Sequence, residues 1–137
     1  MPSTIRKVSY AYVTAVSKPG EAARILQALR DANVNLLAFS GFPQGRNKAQ
    51  IDVVTGDLDA LKGVARGQKW KLSRIKRAFL VQGTDEAGAA VAPLAKLSAN
   101  INVIAADAIA AGENRFGMIF WVDARNYNRA ATLLDAG

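Results

Sequence analysis

The chain has 137 residues, 50% of them hydrophobic, with 18 Lys and Arg against 11 Asp and Glu for a formal charge of +7. That length suffices for one substantial core or two small fused ones, each half being near the size at which independent folding is marginal. The absence of cysteine and histidine removes disulfides, thiolate chemistry, most zinc sites and the usual neutral-pH general base.

The first strand is predicted from Val8 to Val16, where Val8, Tyr10 and Tyr12 alternate with Ser9, Ala11 and Val13. Ser17-Lys18-Pro19-Gly20 breaks it, and the fixed φ of Pro19 suits the first turn of a helix carrying Ala22, Ile25, Leu26, Leu29 and Ala32 on one side. After Asn33, the apolar run Val34 to Phe42 reads as a second strand. Residues 43–48 form a polar loop into a third strand, Ala49 to Thr55. Asp57 is a good N-cap for a short helix through Leu58, Leu61, Val64 and Ala65 that ends near Gly67. Trp70, Leu72 and Ile75, alternating with Lys and Arg, suggest a fourth strand.

The same order then returns. Ala78 to Gly83 is a strand, Thr84 to Gly88 a turn, and Val91, Leu94 and Leu97 a helical stripe whose first turns Pro93 should shorten or bend. Ile101 to Ala111 and Arg115 to Val122 form a hairpin across Gly112, and Asp123 caps a last helix through Tyr127, Ala131 and Leu134. Gly20 recurs as Gly88, and Asn33-Val34-Asn35 recurs as Asn100-Ile101-Asn102 at an offset of 67, so the halves read as two copies of one α/β unit. The copies differ in charge: residues 1–77 carry fourteen Lys and Arg against five acids, whereas 78–137 carry four against six. Such opposite charges could attract across an interface, or the first half could simply be well solvated.

The order β-α-β-β-α-β is the ferredoxin-like arrangement, an α+β fold with an antiparallel sheet and both helices on one face. Its punctuation is more specific. Lys18-Pro19-Gly20, opening an Ala/Leu helix that closes into Asn33-Val34-Asn35-Leu36, resembles the ACT domain, the amino-acid-sensing module of metabolic regulation. Glu86-Ala87-Gly88 through Asn100-Ile101-Asn102 is similar to the same pattern with Pro replaced by Ala. The resemblance covers nearly the whole chain and implies a stand-alone protein of two ACT-type units in tandem, 1–75 and 76–137, the second lacking its last strand. It also implies a non-catalytic regulator that binds an amino acid or related small zwitterion, forms a homodimer and acts in trans on a metabolic enzyme.

A glycine at a strand-to-helix turn lets a ligand approach the backbone, and the first N–H groups of a helix can receive a carboxylate. Gly20 and Gly88 are the candidates, with Lys18 favouring a carboxylate and Asp85 and Glu86 favouring an ammonium. Asn33 or Asn35, and Asn100 or Asn102, can accept from that ammonium, as the resemblance implies. The four features are expected to converge at one end of each unit. Each has a plainer role too: the glycines satisfy turns, the asparagines end helices, and the acids favour a helix dipole. A ligand-free ACT-like scaffold would keep the same residues.

Two other classes compete with this one. Arg66, Lys69, Lys71, Arg74, Lys76 and Arg77 interleave with Trp70, Leu72 and Ile75, a composition suited to RNA on a ferredoxin-like sheet. The segment 115–122 only faintly echoes the aromatic RNA-recognition strand, since no Gly follows Arg115, and basic alternation also protects a sheet edge, so nucleic acid is not the expected partner. For catalysis, the pair Asp57 and Asp59 is explained by helix capping, and no phosphate-cradling or dinucleotide motif appears. No catalytic residue, metal or cofactor is therefore expected. Without an apolar leader after Met1-Pro2-Ser3-Thr4 or a run of ~20 apolar residues, a cytoplasmic location is expected and no membrane partner.

Overall fold

In the computed structural model, residues 3–97 and 99–137 are described. The elements are β1 (Thr4–Val16), α1 (Glu21–Asp31), β2 (Ala38–Pro43), β3 (Lys48–Val54), α2 (Leu58–Gln68), β4 (Lys76–Thr84), α3 (Val91–Ala95), β5 (Val103–Gly112), β6 (Arg115–Val122) and, after a 3-10 turn at Ala124–Asn126, α4 (Tyr127–Leu134). All strand pairs with a defined register run antiparallel. The chain is thus mixed α and β with helices packed on antiparallel strands. No helix of the described residues is long and apolar enough to cross a membrane.

Residues group into two compact units, 9–76 in one and 1–8 with 77–137 in the other. In the first, hereafter the internal unit, β3 lies between β2 and β1, with Val13 opposite Ile51 and Gly41 opposite Ile51 on the far side. Because side chains alternate along a strand, Ala11, Ile51 and Val53 point to one face, where Ile25 and Leu29 of α1 and Leu61 of α2 cover them. The spacing of Ile25 and Leu29, four apart, is what gives α1 its single apolar stripe.

In the second, composite unit, β6 lies between β5 and β4, and β4 has the Thr4–Val8 stretch of β1 on its other side. Thr4 Oγ1 donates to the Gln82 carbonyl (3.4 Å), and Gly83 approaches Ser3 closely. After α4 the chain returns to this strand: Gly137 N–H donates to Ile5 O (3.0 Å) and Lys7 N–H to Gly137 O (2.9 Å). The core joins Phe79 and Val81 of β4, Met118 and Phe120 of β6, Leu97, and Tyr127 and Leu134 of α4. Tyr127 stacks on Phe79 (centroids 4.4 Å, 8° between planes) and its hydroxyl donates to Ala78 O at 2.8 Å.

Local signals place most boundaries. Asp57 caps α2 by accepting from Ala60 N–H (3.0 Å), and Asp123 accepts from Arg125 N–H (3.0 Å). Glu113 and Asn114 join β5 to β6 with φ of 52° and 60°, the left-handed pair that a two-residue hairpin needs. Pro93, in the first turn of α3, needs no N–H there, and that helix is only five residues long.

Three sequence expectations are corrected. The second strand begins at Ala38, not Val34, because Val34 N–H is still engaged with Leu29 O at the end of α1 (2.9 Å). The fourth strand expected at Trp70 to Ile75 reduces to one bridge, Val13 to Leu72, because Lys69 turns left-handed (φ 60°). Pro19 precedes the cap of α1, and the cap is Gly20 itself, at φ 85°.

Candidate functional site

The Asn-x-Asn pairs sit at corresponding places. Asn33 adopts φ 59° and ends α1: its N–H donates to Arg30 O (2.8 Å) while Val34 N–H reaches Leu29 O. These two bonds satisfy helix-end carbonyls in the Schellman pattern, with Asn tolerating the left-handed position. Val34 turns into the core, leaving Asn33 and Asn35 exposed on either side. The buried Thr55 hydroxyl donates to Asn35 O (2.9 Å), which fixes this backbone. A hollow of about 460 Å³ opens here, lined by Leu26, Leu29, Arg30 and residues 33–36.

The composite unit repeats the arrangement. Ile101 is buried between exposed Asn100 and Asn102, and Ile101 N–H donates to Leu97 O (2.9 Å). A hollow of about 400 Å³ is lined by Leu94 and residues 99–103. Here Arg129 Nη2 donates to Asn100 O (3.2 Å), doing for this backbone what Thr55 does for the other. Each hollow offers an apolar helix end beside two asparagine amides, which can both donate and accept. Among the described lining residues the internal hollow has a cation, Arg30, in its wall, and the composite one has Arg129 bound behind Asn100; the spacing pattern gave no sign of Arg30 or Leu26 as site residues.

Lys18 and Gly20 do not line these walls, nor do Asp85, Glu86 and Gly88. Gly20 begins α1 and Asn33 follows its end, so the eleven-residue helix separates them by roughly 16 Å. A single small molecule within this unit reaches one set and not the other, contrary to the convergence expected from sequence. The start of α1 also carries its own anion: Glu21 pairs with Arg24 and lies 4.0 Å from Lys18 Nζ. The hydrogen bond from Arg24 holds the Glu21 carboxyl below the usual range. In the composite unit, Asp85 N–H donates to Asn114 O (2.9 Å), Ala89 N–H to Glu86 O (3.1 Å) and Val91 N–H to Gly88 O (2.9 Å), so these residues build a turn.

One buried carboxylate escaped the sequence reading. Asp52, 4% exposed, lies on β3 opposite Tyr12 and Ser40, on the face away from the helices. It accepts from Gln50 Nε2 (2.9 Å), Gln50 accepts from Gln44 Nε2 (2.8 Å), and Gln44 accepts from the Thr14 hydroxyl (3.1 Å). Burial pushes its carboxyl up, against the Gln50 hydrogen bond and the attraction of Lys76. A carboxyl raised on folding opposes stability once both states are ionised, and the opposition disappears below its ordinary value of 3.8. Asp52→Asn is therefore expected to raise the melting temperature at pH 7, with the gain vanishing toward pH 3; a variant equally shifted, or destabilised, at both pH values would contradict this.

Among the described residues no group of three or more Asp or Glu is placed to hold a metal ion. The antiparallel strands and the helices packed on them form a fold that several solved structures share. The solved structures that share it include the regulatory subunit of aspartate kinase from Thermus thermophilus in a ligand-free form (TM-score 0.60, 18% identity, covering 98% of this chain and 95% of that one). A protein from Bacteroides thetaiotaomicron matches at TM-score 0.77 and 16% identity, covering 97% of this chain and 88% of that one. A putative C-terminal regulatory domain of aspartate kinase from Porphyromonas gingivalis W83 matches at TM-score 0.56 and 7% identity, covering 98% and 95%. No family model and no curated protein matches the chain.

Proposed function

We propose that this chain is a non-catalytic regulatory protein of two ACT-type units that binds an amino acid or related small zwitterion in its Asn-lined hollows and acts in trans on a metabolic enzyme in the cytoplasm. The observation that carries the reading is the recurrence of one hollow at one sequence offset: Asn33 and Asn35 in the internal unit, Asn100 and Asn102 in the composite one. An α-ammonium finds amide oxygens there, an aliphatic side chain finds the helix-end leucines, and in the internal hollow a carboxylate finds Arg30. Lys18, Gly20, Asp85, Glu86 and Gly88 shape the strand-to-helix turns in this reading. Thr4–Val8 serves as the fourth strand of the second ACT-type unit. Similarity of fold to aspartate kinase regulatory subunits supports a regulatory role.

A homodimer is part of the same proposal. β5 pairs with β6 on one side only, carries a single charge at Asp107, and exposes Ile104 (60%) and Ile109 (68%). A long apolar edge without Lys or Pro lacks the usual protection against pairing with another chain. Regulation then requires the ligand to favour one arrangement over another, since equal affinity shifts nothing. Titration calorimetry against the common amino acids is expected to find one that binds. Asn35→Ala with Asn102→Ala should weaken it at least roughly tenfold, the loss of one or two hydrogen bonds per site, with thermal stability unchanged. Absence of binding by any amino acid to a folded sample would remove the sensing function, and light scattering on that sample reads the dimer directly.

A further inference from the structure

On α2 of the internal unit, Lys62 and Arg66 lie four apart on one side of the helix, and Lys69 follows at its left-handed C-cap, so three cations fall within roughly two turns of chain. Lys71 and Arg74 follow in the segment after it, and all five are exposed. None of the five forms an ion pair among the described residues. The unit's carboxylates are committed elsewhere: Glu21 to Arg24, Asp31 to Gln27 and Arg30, Asp57 to the α2 cap, and Asp52 inside the sheet. Asp59, one turn before Lys62, is the remaining acid and pairs with no cation. An unneutralised row of this kind costs self-repulsion that an opposing row of anions would relieve.

We propose that the Lys62-Arg66-Lys69 row, extended by Lys71 and Arg74, is the surface through which this protein docks an acidic helical face of a partner protein. It rests on the reading that the chain acts in trans. The geometry fits a helix because acids four apart on a partner helix present the same interval as these cations. A single-stranded nucleic acid fits less well, since bases need exposed rings: Trp70, the ring within the row, packs on the core with its indole Nε1 buried, and Lys76 covers Tyr12 at 5.6 Å. The helix hydrogen-bonds at both ends independently of these five side chains, so they can be exchanged without removing a contact that holds the fold.

The test uses the full chain and two labelled probes, a helical Ala-rich peptide with Glu at every fourth position and a single-stranded RNA of matched charge. Fluorescence anisotropy is expected to show the peptide binding at about 50 mM salt and weakening toward about 200 mM. Lys62→Glu with Arg66→Glu should lower peptide affinity by roughly tenfold or more, whereas Arg46→Glu with Lys48→Glu, an equal charge change at the turn end of the β2–β3 hairpin, should lower it by less than roughly threefold. Equal losses in both variants, tighter binding of the RNA at about 150 mM salt, or no peptide binding would each overturn the proposal. Amino-acid titration of the same variants separates the two readings: unchanged ligand affinity with lost peptide binding locates the defect in docking, and peptide binding without any amino-acid ligand leaves docking standing while the sensing role falls.

Discussion

Replacing Phe79 by alanine is expected to destabilise the composite unit by about 3–5 kcal/mol, the range for deleting a buried aromatic ring. Phe79 has no exposed surface, stacks on Tyr127 and tilts against Phe120 at 5.4 Å between centroids. The loss has three parts. Apolar area returns to water, a cavity opens that β4 and β6 cannot close without breaking their ladder, and two ring contacts worth about 0.5–1.5 kcal/mol each disappear. It also exposes the bond from the Tyr127 hydroxyl to Ala78 O, whose shelter is what pushes that phenol up to about 12. The chain has two tryptophans, Trp70 in one unit and Trp121 in the other, so Trp70→Phe leaves a fluorescence probe specific to the composite unit. Urea unfolding followed at Trp121 should show the shift; a change under about 1 kcal/mol would mean that the rings bear little of this core.

Gly83→Val should cost the same unit about 1–3 kcal/mol by forcing apart two backbones. A Cβ at Gly83 would lie 3.1 Å from Ser3 Cα and 3.0 Å from Ser3 Oγ, tighter than most real Cβ contacts, so Ser3 would have to give way. Its φ is unremarkable, so the effect is one of space and not of left-handed geometry. Gly83 also pairs with Phe116 across β4 and β6, so β4 cannot retreat without disturbing that register. The strain should appear at the N-terminal strand, where hydrogen exchange of the Lys7 and Gly137 amides, which bond across it, should quicken. Unchanged protection of both amides would show that Ser3 yields freely and that the close approach is incidental.

The sequence made local features legible and distant ones obscure. Asp57 as a cap, the hairpin across Gly112 and the Ile25-Leu29 stripe depend on neighbours within a few positions, and each forms where its chemistry predicts, with Glu113 and Asn114 as the turn pair that the structure adds. The Asn-x-Asn doublets were legible as a repeat, and the buried Val34 and Ile101 explain their form: one apolar residue anchors the turn while its neighbours face out. What the repeat concealed is direction. A helix that returns antiparallel to its strand carries Gly20 and Asn33 to opposite ends, although the text of the sequence sets both at the edges of one motif. Arg30 stayed hidden because a cation in the last turn of a helix already has a reason to be there, the helix dipole. Asp52 was hidden by its strand, where an acid among apolar residues reads as an exposed position until its neighbours are known.

The division of β1 has a consequence for biogenesis. Residues 9–76 contain all the strands and helices of their own unit, so a ribosome that has released them has supplied everything that unit needs. Thr4–Val8 cannot find its place beside β4 until some seventy further residues have emerged, and its bonds with Gly137 form later still. The seating of this strand therefore waits on synthesis of the composite unit, after the internal unit is already complete.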